Sequence, residues 1–266
     1  MSLVIRMKID YSLSDVTPYI NWLYFDHAWG MSGQKASDRH QLRDEARERL
    51  LRYGQRYQTH AVVEVLEARS QADDIIFHDC VFPCLRQQQL GSDFLCLADF
   101  VSPEADRVGV FATSVDMGLE TDFDDDPYEK MMMQLLADRL AEATAERMHE
   151  WVRKTYWGYA ADEQLSVADM LSGRWQGIRP AVGYPSLPDT SLNFLIERLI
   201  GMSQIGISLT ESGAMKPHAS VSGLILSHPS AQYFTVGTIG ADQLADYARR
   251  RGLPLDETRK FLQANL

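Results

Sequence analysis

Apolar and polar positions change period several times along the chain, and the changes mark out its elements. Ser14 to Leu23 has the spacing of a short helix, with Ser14 or Asp15 placed to cap it. Trp22, Phe25 and Trp29 gather there as an aromatic cluster suited to the core. Ser37 to Tyr57 is rich in Arg and Glu and reads as a charged helix with a solvated face and i,i+4 pairs. Ala61 to Leu66 and Asp74 to His78 read as strands around the polar turn Arg69-Ser70-Gln71. Phe94 to Val101 and Arg107 to Val115 read as a second strand pair, joined through Ser102-Pro103.

A long helix follows. Asp126 is a good N-cap, Pro127 suits the first helical position, and Glu129 completes a start resembling a capping box. The pattern carries it to about Tyr156, roughly 45 Å at 1.5 Å per residue. Asp124 and Asp125 stand near its positive end, Arg153 and Lys154 near its negative end. Met132, Leu135, Leu136, Leu140 and Ala143 form its apolar stripe. Asp138 and Glu142 put two like charges on one face. That pair is either a solvated acidic edge relieved by Arg139 or a carboxylate pair awaiting a cationic ligand.

Leu192 to Met202 reads as a helix. Ala219 to Leu226 and Gln232 to Ile239 read as an antiparallel hairpin around Ser227-His228-Pro229-Ser230. Ala241 to Arg251 is a helix closed by Gly252, and Asp256 caps a short final one. Hairpins with separate helices predict an α+β fold with a largely antiparallel sheet, in one domain spanning 1–266.

Gly177 to Asp189 breaks every period. Pro180, Pro185 and Pro188 remove backbone donors, and Gly183 permits angles other residues avoid. Such a stiff loop, carrying Arg179 and Tyr184, loses little entropy on gripping a small ligand; it also suits a plain connector.

The formal net charge of −11 argues against nucleic-acid backbone binding. It is compatible with docking a basic partner surface, and equally with plain solubility. No apolar run can span a bilayer and no signal-peptide pattern opens the chain, so no membrane partner is expected. Three cysteines (Cys80, Cys84 and Cys96) fit a reduced, cytoplasmic protein. His78, Cys80 and Cys84, close in sequence, suggest either a metal site or, more simply, buried structural thiols.

The loop Arg179-Pro180-Ala181-Val182-Gly183-Tyr184-Pro185 is one of several motifs carrying a resemblance. The others are Trp157-Gly158-Tyr159-Ala160-Ala161-Asp162-Glu163 upstream, Leu209 to Gly223 downstream, Leu85 to Gln88, Cys96 to Val101 and Ala137 to Glu142. In this order they resemble the C-terminal activation (reactivation) domain of cobalamin-dependent methionine synthase. The resemblance implies a C-shaped single domain with a twisted antiparallel sheet and flanking helices. It implies binding of S-adenosylmethionine, whose methyl group goes to cob(II)alamin held by a partner cobalamin-binding domain or chain. An electron from flavodoxin or a related reductase completes that reductive methylation. It implies no catalytic residue and no metal on this chain, because the reactive centre is the cofactor's cobalt and the protein positions the donor.

Carried over residue by residue, the resemblance assigns S-adenosylmethionine binding to Asn21, Glu142, Arg179, Ala181, Gly183, Tyr184 and Tyr233. By charge, Arg179 is expected to meet the methionyl carboxylate. Gly183 lets the backbone approach the adenosine, Tyr184 covers one face of it, and Glu142 suits a hydroxyl or amino group. Tyr233 falls on the second hairpin strand. Asn21 stands where the family has Asp, so a charge-assisted bond becomes a neutral one. Lys216 and His218 replace an aromatic residue and a glycine at the rim, and the family's GKYP reads Gly33-Gln34-Lys35-Ala36. These departures motivate an alternative: a docking module of the same fold that grips the cobalamin domain or electron donor without binding the methyl donor. The chain begins near the family domain's boundary and is expected to be an excised domain or a separate subunit.

Overall fold

A computed structural model describes residues 7–266, so the first six residues of the expected domain lie outside the described ones. Strand β1 (Met7–Ser12) leads into helix α1 (Leu13–Val16). The cap is Ser12: its hydroxyl accepts from the Asp15 amide, and the Asp15 carboxylate accepts from the Ser12 amide. The expected single helix from Ser14 to Leu23 is broken. Pro18 opens a tight turn over Thr17–Tyr19, and Asn21 caps a new helix, α2 (Trp22–Ala28). Then come α3 (Ala36–Tyr53), β2 (Gln58–Gln71), β3 (Asp74–Phe77) and β4 (Cys80–Pro83). The chain continues through β5 (Asp106–Val115), α4 (Gly118–Thr121) and the long α5 (Pro127–Trp151). Helices α6 (Val167–Leu171) and α7 (Asn193–Ile200) precede β6 (Ser208–Leu209), β7 (Met215–Lys216) and β8 (Ser220–Ile225). Helices α8 (Ala241–Arg251) and α9 (Leu255–Phe261) close the chain.

The architecture is the α+β one that the pattern predicts: a curled antiparallel sheet with a helix of 30 residues. Its spine is β2, twice the length expected. One edge of β2 pairs with β5 from Thr59↔Val115 to Ala68↔Asp106. The other edge is shared by β1 at one end and β3 at the other, and β8 adds beyond β5. Alternation puts Ala61, Val63 and Phe111 against α5, and Val62, Val110 and Ala112 against α7. Leu136, Leu140 and Met148 of α5 are fully buried there, each contributing about 2 kcal/mol. Asp126 accepts from the Tyr128 and Glu129 amides, and after Trp151 the helix widens into a π-turn over Val152–Tyr156. Cys80, Cys84 and Cys96 are buried free thiols. No helix among the described residues is long and apolar enough to cross a membrane.

Two expected strands do not form. Phe94 to Val101 holds a tight turn at Leu97–Phe100 instead, because the Asp99 carboxylate accepts from the Cys96 amide. Gln232 to Ile239 is not a strand either. The edge of β8 it was expected to pair with is taken by the proline loop. Ile178 and Leu226 exchange both backbone bonds at 2.9 Å, the Leu224 amide donates to Pro180 O, and the Val182 amide donates to Ser222 O. Glycine makes this possible: a Cβ on Gly223 would lie 2.1 Å from Pro180 O, and one on Gly177 2.2 Å from Leu226 O.

Candidate functional site

Docking the proline loop beside β8 carries it across the middle of α5, and a groove of about 730 Å³ opens between them. The start of α2 and residues 233–235 close its other sides. Six of the seven predicted site residues, Asn21, Glu142, Arg179, Ala181, Tyr184 and Tyr233, line this groove. Gly183 stands behind the wall: its φ of +88° makes the turn, and its amide donates to Leu187 O at 2.8 Å.

Helix α5 holds the loop at two points one turn apart. The Tyr184 hydroxyl donates to Glu142 Oε1 at 2.5 Å, and Arg179 Nη2 donates to Glu146 Oε1 at 2.6 Å. Arg179 Nη1 also donates to the Ala145 carbonyl at 2.6 Å. The acids that line the groove are Glu142 and Glu146; Asp138, one turn earlier on α5, does not line it. Burial and the carboxylates of Glu120 and Glu142 push the Asp138 carboxyl up, against the pull of Arg139. With Arg139 and Arg179 the groove wall carries two cations and two anions.

The expected roles need correction in detail. Arg179 is 9% exposed and is not a free fork: it lines the groove with two of its N–H donors already held, by the Glu146 carboxylate and the Ala145 carbonyl. Asn21 uses its side-chain oxygen to cap α2, accepting from the Leu23 amide at 3.1 Å. Tyr233 lies on an irregular segment rather than a strand. Its hydroxyl accepts from the Arg179 amide at 2.9 Å while half of the residue stays exposed. Burial and the Glu142 carboxylate push the Tyr184 phenol well up, so it remains a donor through the physiological range. Lys216 and His218 are exposed and do not line the groove, so the altered rim lies off this wall.

Other wall residues carry no motif of their own. Tyr24 and Trp175 line the groove, and Glu146 is legible only as a second acid four residues after Glu142. Trp175 lies near two guanidinium groups, with Arg153 5.1 Å and Arg179 5.8 Å from its ring. Arg153, fully buried, makes a bidentate pair with Glu163 at 2.9 and 2.6 Å. Tyr159 bonds His149 Nε2 at 3.1 Å. The Trp157 to Glu163 motif thus anchors the buried layer behind the groove. Burial, then the charges of Arg179 and Arg153, push the His149 imidazole well below its ordinary range.

Comparison with known proteins places the fold in a family. The family model described as vitamin B12 dependent methionine synthase, activation domain, matches residues 12–252. Among solved structures, the chain is similar to one described as the crystal structure of the MetH reactivation domain bound to AdoHcy. The two are 36% identical, with 98% of this chain and 90% of that one covered and a TM-score of 0.92. A match over nearly the whole chain, together with a shared fold, makes this protein a member of the vitamin B12-dependent methionine synthase activation-domain family.

Proposed function

We propose that this chain binds S-adenosylmethionine in the groove between α5 and the proline loop and presents it for reductive methylation of cob(II)alamin, which returns cobalamin-dependent methionine synthase to activity. The observation that carries the reading is the convergence of Asn21, Glu142, Arg179, Ala181, Tyr184 and Tyr233 on one groove. Its size suits a nucleoside with an amino-acid arm, and its wall offers phenol faces, carboxylates and a guanidinium to the corresponding groups. The similar structure bound AdoHcy, which is S-adenosylmethionine without the transferred methyl. S-adenosylmethionine supplies the methyl group to cobalamin held by a partner domain or chain in the cytoplasm, with flavodoxin or a related reductase as electron donor.

The residues of this chain bind and orient. Tyr184 and Tyr233, each half-exposed, offer ring faces to the adenosine. Arg179, fixed from below, directs its charge toward the ligand carboxylate. Asn21 retains an amide group at the groove edge for a neutral bond. Calorimetric titration of S-adenosylmethionine into the folded chain tests the reading. Saturable one-to-one binding, weakened by Arg179→Lys, is expected, because lysine keeps the charge and loses the fork.

A second reading has its own observation. The Arg179 fork and the Asn21 oxygen both already have protein partners, as they would in a domain that only docks. That docking module would bind the cobalamin domain unchanged after Arg179→Lys and show no donor binding.

A further inference from the structure

We propose that Glu146 is the positioning residue for Arg179, setting the groove's affinity for ligands that carry an amino-acid arm; the proposal rests on the function read above. An arginine on the wall of an open groove has a long stem and several rotamers, and fixing it on ligand binding costs side-chain entropy. Here that ordering precedes the ligand. Nη1 is held by the Ala145 carbonyl and Nη2 by Glu146 Oε1, both at 2.6 Å. The guanidinium lies near the Trp175 and Phe111 rings, 5.8 and 5.9 Å from their centroids. The Tyr233 hydroxyl holds the backbone amide of the same residue. These bonds use two of the five N–H donors of the fork.

Glu146 is the charged element of this clamp and the counter-ion of the buried guanidinium. Its side chain is 13% exposed, and its second oxygen is buried with no hydrogen-bond partner among the described residues. A half-satisfied buried carboxylate is unfavourable compared with an apolar residue of similar size. The neighbouring acid, Glu142, serves Tyr184 instead, so the two acids have separate duties on one loop. Glu146 thus fixes the position and the charge environment of one guanidinium at the groove wall. An adenosyl ligand without a carboxylate makes no use of that arrangement.

The test titrates two probes, S-adenosylhomocysteine and 5′-methylthioadenosine, which lacks the amino-acid arm, into the wild-type chain, Glu146→Gln and Glu146→Asp. Glu146→Gln keeps the shape and removes the charge. It is expected to weaken S-adenosylhomocysteine about ten-fold and leave 5′-methylthioadenosine within about two-fold. Glu146→Asp, which restores the charge, is expected to recover part of the loss. Equal weakening of both probes would mean that Glu146 only maintains the groove, and no weakening of either would mean that Arg179 needs no positioning; each result overturns the proposal. Failure of the wild-type chain to bind either probe overturns the functional reading and the proposal with it, a result distinct from any difference between variants.

Discussion

Two extended segments flank the site, and they exchange the roles their sequences suggest. The loop from Gly177 to Asp189 contains three prolines and reads as anything but a strand, yet residues 178–182 lie along β8 as one. Gln232 to Ile239 reads as a strand and forms none. The difference lies in which backbone groups each must offer. On the side facing β8, Ile178 and Val182 supply the donors and Pro180 only its carbonyl, so the proline ring costs no ladder bond. In the other segment the Val236 amide bonds Pro185 O, the Gly237 carbonyl accepts from the Asn265 side chain, and Gly237 has a φ of +71°. Proline forbids a strand only where its missing donor is needed, and a strand-like pattern creates no strand where the edge is already taken.

The sharpest way to break the comparison is at Gly223. Gly223→Val sets a side chain against Pro180 O and forces the loop off β8, so a loss of about 3 kcal/mol in stability is expected, together with loss of ligand binding. Thermal unfolding and calorimetry check both. Arg179→Ala is expected to cost about 3 kcal/mol in urea unfolding, because it strands the buried Glu146 carboxylate.

Acid sharpens the contrast. His149 is held neutral beneath the loop by burial and by Arg179 and Arg153, whereas the unfolded chain takes up a proton below about pH 6.5. The folded value lies below the unfolded one, so this contribution is complete above pH 6.5. It is lost by up to about 1.4 kcal/mol per pH unit as the pH falls below that. Urea unfolding from pH 7 to 5 is expected to show a shallower slope for His149→Gln.

The smallest effect belongs to the other segment. Asn265→Ala removes the bond to Gly237 O and is expected to cost about 1 kcal/mol, with adenosyl-ligand affinity unchanged. A large affinity change there would mean that the Asn265 bond to Gly237 also sets the place of Tyr233 in the groove.

Local signals made most helices legible. Asp126 and Pro127 mark the start of α5 and Gly252 the end of α8, as the structure has them. Glu142 and the four loop residues came from the ordered motifs, Asn21 and Tyr233 from single positions of the resemblance, and six of the seven share the groove. What stayed hidden was set by tertiary pairing. Nothing local in Gln232 to Ile239 records that β8 is already paired, and nothing in Arg179 records that Glu146 accepts from it. The span from Phe94 to Val101 failed for a local reason, the Asp99 carboxylate folding back on the Cys96 amide.

The most direct test of the central claim is calorimetric titration of S-adenosylmethionine into the purified chain, with circular dichroism to establish folding. The account predicts saturable one-to-one binding that Arg179→Lys weakens by about ten-fold or more. A well-folded chain that shows no saturable binding at millimolar ligand would contradict it and leave the docking module as the better description of the groove.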